Sequence, residues 1–122
     1  MEREAAKDFR YLPVWQRAHQ FVLAVYNYSD YFPPKETHGL TPRFRLAAAF
    51  IPVALMQSLR EESTPERAKL MDAARSFLDS CHYYLILAKD LGYGDHPELS
   101  PLLEDLSELL REYAAAILAP DS

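Results

Sequence analysis

The sequence predicts an all-α protein folded as an antiparallel, up-down-up-down bundle of four helices. Three observations support this fold class. Apolar residues recur at spacings of three and four in four separate segments, which is the period of a helix with one buried face. Helix start and stop signals lie between those segments. Only 3 glycines are available for hairpin turns, and no segment shows the strict alternation of a strand.

The first helix is predicted at about residues 13–31. Pro13 suits the first turn, where its missing N–H costs no hydrogen bond. The pair Pro33-Pro34 ends the segment, because proline disfavours a helical conformation in the residue before it and cannot continue a helix itself. Two neighbouring stripes give this helix its apolar face. They are Trp15, Ala18, Val22 and Val25, and Phe21, Ala24 and Tyr28.

The second helix is predicted at about residues 42–62. Thr41 is the expected N-cap, since its hydroxyl can accept from a free backbone N–H, and Pro42 follows at the first helical position. Residues 46–56 are apolar on nearly all sides, so we expect this helix to be the most buried of the four. Pro52 lies inside it and is expected to kink the axis.

The third helix is predicted at about residues 64–91. Ser63 followed by Glu66 is a capping-box pattern, and Gly92 supplies a left-handed stop. Its main apolar seam consists of Met71, Ala74, Leu78, Cys81, Leu85 and Ala88. A second stripe runs beside it and consists of Leu70, Ala73, Phe77, Tyr84, Leu87 and Leu91. Together they form an apolar arc wider than one intramolecular seam requires.

The fourth helix is predicted at about residues 97–119, although start signals between Asp95 and Pro101 compete and leave its first residue open. The residues expected to face inward are Leu99, Leu102, Leu106, Leu109, Tyr113 and Ala116. Acidic residues occupy the opposite face. The whole chain, residues 1–122, is predicted to be a single four-helix-bundle domain, because its length supports one core.

Composition narrows the class of protein. No apolar run approaches the roughly 20 residues of a membrane span, and the charged N-terminal residues do not fit a signal peptide. Cys81 is the only cysteine, so we expect no internal disulfide and a cytoplasmic protein. The formal net charge of -5 argues against nucleic acid as a general partner, because counterion release favours basic surfaces.

The aromatic content predicts self-association. The chain has 8 tyrosines, 6 phenylalanines and 1 tryptophan, more than so small a core needs. Some of these rings must lie at the surface, where an aromatic patch usually marks an interface. The alternative is that tyrosines line the edge of the bundle with their hydroxyls in water. The candidate residues of an oligomer interface are Trp15, Phe77, Tyr84 and Leu87.

No pattern of catalytic or metal-ligating residues emerges. Asp79 and His82 have a ligand-like offset, but no second pair completes a metal site. Cys81 lies on the apolar seam, and the adjacent His82 points about 100° away from it on a helix. We therefore predict a protein without enzymatic activity, metal or cofactor.

Six basic residues are the candidate binding site for an anion, RNA or a protein partner. They are Arg43, Arg45, Arg60, Arg67, Lys69 and Arg75. Arg43 and Arg45 lie in the first turn of the second helix, where the helix dipole disfavours cations. One alternative is that they pair with Asp30, with Glu36 or with acidic groups of a neighbouring subunit. The other is that they form an anion-binding rim.

Several segments carry a family resemblance. Residues 9–19 (FRYLPVWQRAH) resemble the opening of the four-helix-bundle proteins encoded by intervening sequences in 23S rRNA genes. Matches to the same family continue through residues 32–36 (FPPKE), 39–41 (GLT), 45–48 (RLAA), 51–52 (IP) and 84–93 (YLILAKDLGY). After Pro52 the family usually continues Ser-x-Asn-Ile-Ala-Glu-Gly, whereas this chain has Val-Ala-Leu-Met-Gln-Ser at residues 53–58.

The resemblance implies a ring-shaped homopentamer in bacteria, with no known enzymatic activity. Related accessory variability determinant proteins of diversity-generating retroelements bind a reverse transcriptase and its template RNA. Two functions follow as expectations. The first is a homo-oligomeric scaffold or adaptor for a protein partner. The second is an RNA-binding accessory factor that acts with a reverse transcriptase.

Overall fold

Four α-helices pack side by side in the computed structural model, which describes residues 8–119. Their bounds are α1 Pro13–Ser29, α2 Leu40–Arg60, α3 Thr64–Asp90 and α4 Leu99–Leu118, with short 3-10 turns at Phe9–Tyr11 and Pro34–Glu36. Within the described residues there is no β-strand, which confirms the predicted all-α class. The ends of the predicted single domain, residues 1–7 and 120–122, lie outside them.

The helices form a closed square in which each packs against the next and α4 returns to α1. The side chains of Phe44 and Tyr84 meet near one end of α2 and α3, and those of Phe50 and Phe77 meet further along, so these two helices run antiparallel. Arg17 of α1 pairs with Asp105 of α4 at 2.8 Å. Consequently α2 lies diagonally across from α4, and each helix presents one outer face.

The first helix ends two residues earlier than predicted, and the chain turns before the proline pair. The N–H of Tyr31 donates to the carbonyl of Tyr28 at 3.2 Å, and that of Phe32 donates to Ser29 at 3.1 Å. These tighter bonds satisfy carbonyls that a continuing helix would use. The turn buries Phe32 against the core.

The expected Thr41 cap of α2 is wrong. The helix begins at Leu40, and its cap residue is Gly39, which has no side chain to accept a hydrogen bond. Instead the carboxylate of Glu36 accepts from the Leu40 N–H at 2.9 Å. A glutamate in the preceding 3-10 turn is long enough to reach the free N–H, so it takes the place of the hydroxyl. Pro52 lies inside the helix, as predicted.

The Ser63 cap and the Gly92 stop of α3 form as predicted, whereas the reciprocal bond of the capping box does not. The Ser63 hydroxyl accepts from the Glu66 N–H at 3.4 Å, while the Ser63 N–H donates to Glu61 at 3.1 Å. Glu61 therefore makes the reciprocal bond that the capping-box pattern assigns to Glu66. At the other end Gly92 adopts φ +78°, and the Tyr93 N–H donates to the Ala88 carbonyl at 3.0 Å. These are the features of a Schellman stop.

All four helices contribute to one core. The main seam predicted on α3 is buried throughout, from Met71 to Ala88. On α4 the buried residues are Leu99, Leu103, Leu106 and Leu110. The predicted inward face of α4 is therefore only partly right, because Leu102, Leu109 and Tyr113 are half-buried and Ala116 is exposed.

Candidate interaction surfaces

An apolar stripe lies on the outer face of α2. Leu46, Phe50 and Val53 follow one another at spacings of four and three, and 57%, 38% and 40% of their respective surfaces are exposed. We call these three residues the α2 stripe. The bundle therefore leaves part of this apolar segment uncovered, although α2 has more buried residues than any other described helix, as expected.

The α2 stripe continues onto α3 through one pair of rings. Phe77 stacks on Phe50 with ring centroids 5.0 Å apart and planes inclined by 26°. Phe77 is half-buried, as are the other members of its stripe on α3 except the exposed Leu91. The other helices of the bundle thus cover the main seam of the wide apolar arc predicted on α3. They cover the second stripe of that arc only in part.

The four predicted interface residues are all half-buried, but they do not form one patch. Tyr84 packs on the core residue Phe44 at 5.9 Å, and Leu87 also packs against the core. Trp15 lies at the start of α1, where its ring contacts Phe9 at 4.9 Å and stacks on His19 at 5.3 Å. Only Phe77 of the four is in ring contact with the α2 stripe.

Arg45 is held by its own bundle. Its guanidinium donates to the Ser29 hydroxyl and to the Asp30 carboxylate, each at 2.7 Å. The guanidinium carbon also lies 4.7 Å from the centre of the Tyr26 ring, a cation–π contact. Of the two alternatives left open by the sequence, pairing with Asp30 therefore accounts for Arg45. These groups border a groove of about 530 Å³ that also includes Leu46 of the α2 stripe.

The six predicted basic residues fall into separate groups. Arg43 and Arg45 lie near the start of α2, whereas Arg60 is 17 residues beyond Arg43, or about 26 Å at 1.5 Å per residue. Arg67 donates to the Glu61 carbonyl at 2.8 Å, and Lys69 pairs with Glu66 at 3.1 Å. Among the described residues, Arg43, Arg60 and Arg75 are the members of this set with neither a side-chain hydrogen bond nor an ion pair.

A polar contact that the sequence did not suggest joins the loops at one end of the bundle. The Tyr93 hydroxyl donates to Glu36 Oε2 at 2.5 Å, while Oε1 accepts from the Leu40 N–H. The bond from Tyr93 is the main cause of a lowered pKa at Glu36, followed by the bond from Leu40 and, more weakly, the charges of Lys35 and Arg43. Glu36 thereby links the start of α2 to the stop of α3.

The groups considered for chemistry are placed as follows. Burial raises the pKa of the Cys81 thiol to about 12, so the thiol is uncharged at neutral pH. Asp79 and His82 are both exposed. Within residues 8–119 no three His, Cys, Asp or Glu side chains are grouped as metal ligands.

None of the described helices combines the length and apolarity needed to cross a membrane.

Comparison with known proteins identifies the family. The profile described as 23S rRNA-intervening sequence protein matches residues 10–115, which span nearly all of the four helices. The chain belongs to this family. Among curated proteins, none matches the sequence. The match confirms the family resemblance of residues 9–19 and 84–93, and both segments have clear structural roles in this chain. The first carries Trp15 into α1, and the second forms the end of α3 with its Gly92 stop.

Proposed function

We propose that this family member is a homo-oligomeric helical scaffold without enzymatic activity, which presents its assembled surface to a protein partner. The observation that carries the proposal is the α2 stripe with the attached Phe77 ring. Three consecutive outer positions of one helix are large and apolar, which is costly in water unless a second surface covers them.

Family membership and the resemblance favour five copies in a ring. A pentamer has a mass of five times 14.0 kDa, about 70 kDa, and a formal net charge of five times -5, or -25. So large a negative charge disfavours polyanions over most of the ring surface. A protein partner, such as a reverse transcriptase with a basic surface, fits this field better than free RNA does.

Native mass spectrometry of protein purified at low salt tests the assembly. We expect a species near 70 kDa for the wild type and a 14.0 kDa monomer for Phe50→Glu, because a buried carboxylate would have no partner at the interface. Ser107→Glu is the matched control, since Ser107 is exposed and belongs to α4, which lies diagonally across from α2. It should assemble as the wild type does. A monomeric wild type at micromolar concentration would refute the proposal.

The second candidate is an accessory factor that binds template RNA together with a reverse transcriptase. Arg43 and Arg60 favour it, because both are exposed and neither has an ion-pair partner within residues 8–119. RNA binding by this route should weaken steeply with salt and fall in Arg43→Ala/Arg60→Ala. Arg45→Ala serves as the contrast, since Arg45 already pairs with Asp30. Binding that is absent, or insensitive to salt, would remove this candidate.

A further inference from the structure

We draw no further inference here: the strongest candidate, the groove of about 530 Å³ beside Tyr26, Arg45 and Leu46 where the chain passes from α1 to α2, carries none, because its guanidinium is already paired with Asp30 and nothing in the structure shows what covers its apolar wall.

Discussion

Phe44 and Phe50 are the same residue type, six positions apart on α2, and the structure assigns them different roles. Phe44 is fully buried, with its ring centroid 5.9 Å from Tyr84 and 6.4 Å from Phe32. Replacing it with alanine removes the ring and leaves a cavity, at a cost of about 3–5 kcal/mol in the free energy of unfolding. With an unfolding entropy of roughly 0.26 kcal/mol/K for 122 residues, Tm should fall by about 12–20 °C.

Phe50 exposes 38% of its surface, so Phe50→Ala gives up only part of the burial energy of a phenylalanine. Alanine also has the higher helix propensity, and we expect a net cost of about 0.5–1.5 kcal/mol in the monomer. Urea unfolding followed by circular dichroism measures this free-energy cost in the monomer, at a protein concentration low enough to dissociate the assembly. Equal costs for the two variants would refute the assigned burial. An unchanged oligomer in Phe50→Ala, measured at high concentration, would refute the role of the α2 stripe.

Three further predictions concern the loops and the core. The hydrogen bond from Tyr93 lowers the pKa of Glu36 below its usual value of 4.5. The bond therefore stabilises the fold above pH 4.5, and this stabilisation is lost as the pH falls through the native pKa of Glu36. In urea titrations Tyr93→Phe should consequently lose less stability on acidification than the wild type does. The Cys81 thiol should react with a disulfide reagent at least a hundredfold more slowly in the folded protein than in denaturant, and rapid folded-state labelling would contradict its burial. Gly92→Ala should cost about 1–2 kcal/mol through backbone strain alone, since space for a Cβ is open there; a neutral result in thermal melts would contradict the left-handed stop.

The sequence predicts the parts of the fold that depend on local interactions. The Ser63 cap, the Gly92 stop and the buried seam of α3 involve residues within one or two helical turns of each other, so their spacing alone carries the information. The link between Glu36 and Tyr93 spans 57 residues, and no periodicity connects them. The same glutamate caps α2, so the Thr41 hydroxyl signal at its start was misleading for a reason that only the tertiary structure shows.

The exposed face of α2 follows from a limit of hydrophobic periodicity. A helix that is apolar on nearly all sides tells which residues avoid water, but not which of them its own bundle covers. Here the core takes Phe44, Ile51 and Leu55, and the α2 stripe remains outside.

The exposed aromatic residues allow the two explanations of the aromatic content to be separated. Tyrosines at the edge of the bundle, with their hydroxyls in water, account for the exposed Tyr11 and Tyr31, which lie near the ends of α1. That explanation fails for Phe50, because phenylalanine has no polar group to place in water. Phe50 also lies in the middle of a helix, between two other exposed apolar side chains and against a second phenylalanine ring. Such a cluster gains free energy only when a further surface covers it, which favours assembly over edge tyrosines as the explanation for Phe50.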